Sequence, residues 1–212
     1  MRITDIQQQK RNQTRRSVFL DGAFAFGVSE MTYVKYRLSI GDELDALTLA
    51  AIKQDEAAND VKNAALRYRS FRPRTRKEMI DYLRKKEYAD EEIEIGLAFL
   101  EENKLLNDAE FARMYCRDAM MRKPMGERAL RQKLMQRGIA RDIIDAVIAE
   151  QLSPESDYEA ALATAQKLYQ KFSTSRKQLD DDAIRRRLFE NLARRGFSGS
   201  VIQQVIKAVY SS

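Results

Sequence analysis

The chain of 212 residues contains no histidine and a single cysteine, Cys116. Histidine is the commonest general base and the commonest transition-metal ligand, so the usual residue for both roles is missing. One cysteine can build neither an intramolecular disulfide nor a zinc site, and its isolation agrees with a reducing compartment. Because Cys116 lies at helical spacing with Ala112 and Ala119, we interpret it as a buried small side chain rather than a nucleophile.

The sequence also lacks the short motifs of common nucleotide-binding and catalytic sites. It contains no Gly-x-x-x-x-Gly-Lys, Gly-x-Gly-x-x-Gly or Gly-x-Ser-x-Gly motif. The acidic triplet 180–182 lacks the glycine and bidentate glutamate of a calcium loop, so we interpret it as a helix cap. We therefore predict a protein that is not an enzyme and has no catalytic residues, no cofactor and no metal. A small enzyme stays open as an alternative, which a deep polar pocket would favour.

Long apolar segments are absent as well. No apolar run approaches the roughly 20 residues that span a bilayer, and the first residues show no secretory signal. We therefore expect a cytoplasmic protein without membrane contact. With 44% apolar and 33% charged residues, the chain should form small cores beneath a large charged surface.

Three stretches of the chain repeat one spacing of apolar residues. Each has four anchors at steps of five, five and four residues, and the copies lie 51 and 58 residues apart. The anchors are Leu83–Tyr88–Ile93–Leu97, Leu134–Ile139–Ile144–Ile148 and Leu192–Phe197–Ile202–Ile206. Since each copy reads as a basic helix, a tight turn and another helix, the pattern predicts tandem helix-turn-helix-like modules.

The predicted fold is mainly α: a tandem array of three three-helix modules, elongated and curved, with a small N-terminal β-hairpin or meander. Residues 1–53 hold the N-terminal extension and a short helix, and the modules occupy 54–106, 107–152 and 153–212. Gly138 and Gly196 occupy equivalent turns, whereas the first module has Glu87 there, so we expect its turn to differ. The polar stretch 173–182 is predicted to be a loop that lengthens the third module.

The N-terminal extension carries a hairpin signal. Asp21-Gly22 favours a two-residue type I′ turn, which places Phe19 opposite Phe24 on neighbouring strands. Because a lone hairpin is only marginally stable, we expect a strand at Ile3–Gln7 to complete a meander through a turn at Arg11–Gln13.

The segment after this hairpin is predicted to be helical. Ser29 is suited to cap a helix over 30–37 that has Met31, Val34 and Leu38 on one side. A longer helix should start near Asp42 and reach about Arg69, with a break near Gln54.

Positive charge is concentrated in one cluster for each module, within an overall net charge of +6. The clusters span 67–77, 122–141 and 185–195, and we predict that they form a stripe facing an anionic partner. A solvated helix face is the alternative for any single cluster. The residues that we predict to contact a partner or DNA are Arg72, Arg74, Arg76, Arg128, Arg131, Lys133 and Arg137.

The chemistry of these residues indicates what they could bind. Arginine forms bidentate contacts with carboxylates and phosphates, and it stacks on bases and aromatic rings. The positions of the charges differ between modules, which argues against one base-reading set repeated in each module. Most aromatic residues are predicted to pack in cores. Tyr68 and Phe71, interleaved with arginines, are the best candidates for a stacking surface.

Several segments resemble the RecX family of bacterial recombinase regulators. Residues 18–28 (VFLDGAFAFGV) look like the hairpin found there, and 105–112 (LLNDAEFA) resemble the most characteristic stretch of the family. Residues 126–130 and 134–139, with Arg137-Gly138, resemble the helix and turn that follow it. The likeness covers nearly the whole chain and keeps the order of the three modules.

The resemblance implies a non-catalytic regulator of the RecA recombinase. Such proteins are similar in lying along the groove of the RecA filament on DNA, where they limit strand exchange, ATP hydrolysis and co-protease activity. It implies that the arginine and lysine side chains reach acidic groups of the filament or its DNA. We expect a monomer that binds the RecA filament and makes only weak, non-specific contact with single- or double-stranded DNA.

The alternative is an autonomous DNA-binding protein of the helix-turn-helix type. This alternative predicts tight, sequence-dependent binding to duplex DNA without any recombinase. The regulator predicts only weak, salt-sensitive affinity for DNA alone, because phosphate contacts carry no sequence information.

Overall fold

The computed structural model describes residues 1–10, 12–174 and 180–211. They form an N-terminal antiparallel sheet of three strands followed by helices, as the predicted mainly helical fold requires. The chain divides into two compact units, and each is described by itself. The first unit contains Met1–Arg72 and Met79–Leu105, and the second contains Pro73–Glu78 and the chain from Leu106 onward.

The sheet confirms the predicted meander and its register. Strands β1 (Ile3–Gln9), β2 (Asn12–Leu20) and β3 (Ala23–Ser29) are paired in sequence order. Asp21 and Gly22 both have positive φ, 49° and 87°, as a type I′ turn requires. The rings of the paired residues Phe19 and Phe24 meet edge to face at 5.9 Å.

The first turn of the meander differs from the prediction. Strand β2 already begins at Asn12, whose backbone pairs with Gln9, so Asn12 and Gln13 belong to the strand. Arg11, the remaining residue of the predicted turn, lies outside the described residues.

Helix α1 (Glu30–Lys35) is capped by Ser29 as predicted, and of Met31, Val34 and Leu38 only Leu38, which follows the helix, is buried. Met31 and Val34 are exposed, and Thr32 is the buried residue. Thr32 can be buried because its hydroxyl is hydrogen-bonded. Its Oγ1 lies 3.0 Å from Ser29 Oγ and accepts a hydrogen bond from Asn59 Nδ2 at 3.1 Å. Since these bonds satisfy the hydroxyl, this threonine is buried at little cost.

The remaining helices of the first unit pack closely. Helix α2 (Ala46–Ser70), capped by Asp45, runs without the predicted break at Gln54. Helix α2 therefore passes through the predicted boundary between residues 53 and 54. The three boundaries between the four predicted domains stay predictions. Helix α3 (Arg76–Lys85) begins in the second unit and continues into the first, where α4 (Asp90–Glu102) follows. A Cβ on Gly96 of α4 would lie 3.2 Å from Val61 Cγ2 of α2, so glycine permits this close packing.

The second unit contains six further helices within the part that the structure describes. These are α5 (Asp108–Arg122), α6 (Glu127–Gln136), α7 (Arg141–Gln151), α8 (Pro154–Ser173), α9 (Asp181–Arg194) and α10 (Gly199–Tyr210). Helices α5 and α8 are capped by Asn107 and Ser153. Helix α9 is capped by Asp180, which confirms the capping role predicted for the acidic triplet 180–182. Residues 175–179 of the predicted polar loop lie outside the described residues.

The repeated apolar anchors form the cores of the modules. All of them are buried except Tyr88 and Ile206, which are partly buried. Leu134, Ile139 and Ile144 share one core with Cys116, and Leu192, Phe197 and Ile202 share another. Burial raises the pKa of the Cys116 thiol, in agreement with a packing role.

The three equivalent turns share one backbone conformation. Glu87 has φ of 66°, close to the 80° of Gly138 and the 84° of Gly196, so the expectation that the first turn differs is wrong. What distinguishes the glycines is the space around them. A Cβ on Gly138 would lie 2.5 Å from Lys77 Cδ, and one on Gly196 would lie 2.5 Å from Ala129 Cβ.

These contacts form a joint that occurs twice in the second unit. In each joint the first turn of a helix contacts the glycine turn that lies about 60 to 70 residues later in the sequence. At the first joint, Thr75 Oγ1 donates to the carbonyl oxygen of Arg137 at 2.8 Å. At the second, the N–H of Gly126 donates to the carbonyl oxygen of Arg195 at 2.9 Å. The side chains of Thr75 and Lys77 contact the turn at the first joint, and the backbone of Gly126 and Ala129 contacts it at the second. Neither joint leaves room for a side chain at the turn.

Candidate protein interface

Helix α6 has one buried side and one side that faces solvent. Leu130 and Leu134 are fully buried, as the period of 3.6 residues predicts for positions four apart. Arg128, Gln132 and Met135 lie on the exposed side, and the Met135 side chain is 53% exposed. The helical period accounts for this arrangement, because Arg128, Gln132 and Met135 lie within about 60° of one another around the helix axis.

The exposed side of α6 borders a groove of about 810 Å³. Its other borders are the first residues of α8, Ser153-Pro154, and the residues that lead into α10, Ser198-Gly199. Apolar surface of Leu152, Phe197 and Val201 lines the groove, while Arg128 and Arg131 contribute the positive charge. The groove thus combines apolar surface with two cations, with the carboxylates of Glu127 and Asp157, and with two helix N-termini.

Arg131 is held by acidic neighbours of its own module. Its Nε donates to Glu127 Oε1 at 2.6 Å, and its Nη1 donates to Asp145. These hydrogen bonds, with Glu127 first, raise the pKa of the Arg131 guanidinium, so the group stays charged. A partner would have to compete with both carboxylates for Arg131.

Arg137 contributes to the first joint. Its Nη1 donates to Glu78 Oε1 at 2.6 Å, and its guanidinium lies over the ring of Tyr115 at 5.2 Å. The Arg137 and Glu78 side chains are only 34% and 19% exposed. Arg137 therefore connects the segment Pro73–Glu78 to helix α5, a role that the sequence did not reveal.

The other predicted binding residues lie in different surroundings. Lys133 is exposed on α6 but lies about 140° around the helix from Arg128, away from the groove. Arg74 and Arg76 are partly buried in the first joint, where the N–H of Arg76 donates to Asp108 Oδ1 at 2.8 Å. Arg72 is exposed in the first unit. The structure thus brings Arg128 and Arg131 together in the groove.

Asp157 of α8 is a groove residue that sequence reasoning missed. Burial, and next the charge of Glu127, raise the pKa of the Asp157 carboxyl, while a hydrogen bond from the Glu127 backbone opposes them. Among the described residues, no group donates to the buried Oδ1 of Asp157. No local pattern marks it, because its burial depends on α6, which precedes it by some 20 residues.

We expect Asp157→Asn to stabilise the protein at pH 7. The pKa of the Asp157 carboxyl is higher in the folded protein than in the unfolded chain, so the folded protein binds more protons. The free energy of unfolding therefore falls as the pH rises above 3.8, the ordinary pKa of the group. The amide keeps a hydrogen-bond acceptor without the buried charge. Urea unfolding at pH 4 and pH 7 should show a higher midpoint for the variant at pH 7, with a smaller gain at pH 4. A lower midpoint at pH 7 would contradict this account.

The part of the chain that the structure describes contains neither a metal-binding cluster nor a membrane-spanning helix. No group of three or more Cys, Asp or Glu side chains is placed to hold a metal ion. None of the described helices combines the length and the apolar character needed to cross a bilayer.

Comparison with known proteins identifies relatives along nearly the whole chain. Regulatory protein RecX of Clostridium beijerinckii is 31% identical over 208 residues, which cover 98% of this chain and 95% of that protein. The chain belongs to the RecX family. Regulatory protein RecX of Listeria monocytogenes is also 31% identical, over 95% of this chain and 73% of its own length.

Family models match an N-terminal domain followed by three three-helix domains, which is the order of the sheet and the helices in the structure. The RecX N-terminal domain matches residues 1–45, and the first, second and third three-helix domains of RecX match 62–100, 107–148 and 155–206. A crystal structure of regulatory protein RecX covers 96% of this chain with a TM-score of 0.76 at 29% identity. That of RecX from Lactobacillus salivarius covers 74% with a TM-score of 0.67 at 25% identity.

Proposed function

We propose that this chain is a non-catalytic regulator that binds the filament of the RecA recombinase on DNA. It modulates strand exchange, ATP hydrolysis and co-protease activity of the filament, with inhibition as the expected direction. It acts in the cytoplasm as a monomer. Membership in the RecX family supports a regulatory role, and the groove beside α6 supports a protein partner.

The observation that carries the proposal is the mixed character of this groove. The partly exposed apolar residues Leu152 and Val201 line it, and Arg128 lies beside them on the exposed side of α6. An apolar centre with a charged rim is typical of protein–protein interfaces, whereas a phosphate backbone calls for cations without an apolar floor. An acidic side chain of the filament can form a bidentate contact with Arg128 while apolar groups cover Met135.

The proposed contact set remains Arg72, Arg74, Arg76, Arg128, Arg131, Lys133 and Arg137. Of these residues, Arg128 combines exposure with a place in the groove. Arg131 and Arg137 are engaged by carboxylates of the chain itself, so a partner gains less from them.

We expect Arg128→Glu to weaken binding to RecA filaments about tenfold, which corresponds to about 1.4 kcal/mol. Reversing the charge replaces attraction to an acidic partner by repulsion in a partly desolvated groove. The measurement is a titration of the protein into RecA filaments on single-stranded DNA, followed by ATP turnover and by co-sedimentation. Helicity from circular dichroism should be unchanged, because Arg128 is exposed.

Arg186→Glu is the matched control, since Arg186 is an exposed arginine in the middle of α9 and does not line the groove. Equal affinities of the two variants would remove the groove from the interface. Absence of both binding and altered turnover at micromolar wild-type protein would refute the proposed function itself. Tight, sequence-dependent binding to duplex DNA without recombinase would favour the helix-turn-helix alternative.

A further inference from the structure

A second groove lies in the first unit, beside the last turns of α2 and the end of α3. It has a volume of about 490 Å³. Its lining is aromatic and basic, with Arg67, Tyr68, Phe71, Tyr82, Lys86 and Tyr88. The groove at α6 contains none of these residues, so the two sites are independent.

The aromatic residues of this groove provide flat surfaces. The rings of Tyr68 and Tyr82 stack almost parallel, with centroids 3.8 Å apart and an interplanar angle of 3°. Phe71 directly follows the last residue of α2, and its side chain is 83% exposed. A phenylalanine with so much apolar surface in water is unfavourable for the isolated fold, and such exposure is common at binding sites.

The charge of the groove is positive. Arg67 and Lys86 are exposed and line it, and no carboxylate is among the described lining residues. Tyr88 donates to Asp60 Oδ2 at 2.8 Å, and burial, followed by this hydrogen bond, raises the pKa of Tyr88 to about 12. Tyr88 therefore stays neutral at physiological pH and adds no negative charge to the wall.

We propose that this groove binds a single strand of nucleic acid, with a base stacked on Phe71 and phosphates beside Arg67 and Lys86. Bases of a single strand offer free faces, and stacking on an aromatic ring beside cations is a sequence-tolerant way to hold them. An acidic peptide would use the two cations but would leave the exposed ring without a matching flat partner. The proposal goes beyond recombinase binding, and its test contains no recombinase.

The first test measures anisotropy of a labelled oligothymidine with the full-length protein. Phe71→Ala should weaken binding about 5- to 160-fold, which is the range for loss of one base–aromatic stack. Leu47→Ala is the matched control, because Leu47 is 82% exposed and lies about 36 Å away along α2. Arg67→Gln and Lys86→Gln should each reduce the slope of log affinity against log salt by about 0.7, whereas Arg186→Gln should not.

A second test uses the absence of tryptophan from the chain. Phe71→Trp places a single indole in the groove, and oligothymidine should quench its fluorescence by stacking, while a Leu47→Trp protein should show no quenching. Equal losses of affinity in the two alanine variants, or no quenching of the indole at position 71, would overturn the proposal. If polyglutamate displaced the oligonucleotide and bound equally well to the Phe71→Ala variant, the groove would be an acidic-peptide site.

Discussion

Gly196→Ala should lower the free energy of unfolding by about 2–5 kcal/mol. A residue with a Cβ costs about 1–2 kcal/mol in the left-handed region, where Gly196 has φ of 84°. The methyl group would also lie 2.5 Å from Ala129 Cβ, and forcing extra volume into a packed contact costs about 1–3 kcal/mol more. Urea unfolding followed by circular dichroism should show this loss.

Gly22→Ala is the control for the backbone part of this loss. Gly22 has nearly the same φ, 87°, but a Cβ there would have no neighbour within 4 Å. Its replacement should therefore cost only about 1–2 kcal/mol. Equal losses at the two glycines would mean that the joint relaxes around the methyl group, and that Gly196 is needed for its φ alone.

The turn at Glu87 shows why the glycines could not be interpreted from the sequence alone. All three turns have positive φ, yet the first accepts glutamate. The sequence suggests that glycine or glutamate decides the backbone conformation, whereas the structure shows that Gly138 and Gly196 also leave space for Lys77 and Ala129. Close approach between segments distant in sequence leaves no local signal, so the joints could not be predicted.

Features that depend on neighbours in sequence were predictable. The steps between anchors place Leu134, Ile139 and Ile144 in one core, because helix period and turn length determine which residues face inward. The Asp-Gly turn determines the register of β2 and β3, since only a few residue pairs tolerate two positive φ angles. These patterns are the ones that the structure confirms.

The candidate site was predictable only in part. Helical periodicity places Arg128 on the exposed side of α6, but it cannot show that Asp145 engages Arg131 or that Glu78 engages Arg137. An arginine-rich sequence therefore overstates the number of cations available to a partner. Asp157 was missed for the same reason, since its burial depends on packing against another helix.

Arg137→Met should destabilise the protein by about 1–3 kcal/mol. The change removes the contact between Glu78, which is 19% exposed, and the Arg137 guanidinium, and it also removes that guanidinium from above the ring of Tyr115. Breaking a fully buried pair costs about 3–5 kcal/mol, and the partial exposure of this pair reduces the loss. Urea unfolding at low and high salt should show the deficit at both, because a half-buried pair is screened less than a surface pair.

Arg131→Met is the matched control, because Arg131 is also ion-paired, but its two carboxylate partners are both more than half exposed. It should cost no more than about 1 kcal/mol. Glu78→Gln in the Arg137→Met background should recover part of the loss, because the largely buried side chain that has lost Arg137 is then neutral. The double-mutant cycle should give a coupling energy above about 0.5 kcal/mol. Without such coupling, the ion pair would contribute nothing to the joint. Arg137 would then be free to contact a partner, as the sequence analysis predicts. In that case reversal of its charge should weaken RecA binding as strongly as Arg128→Glu.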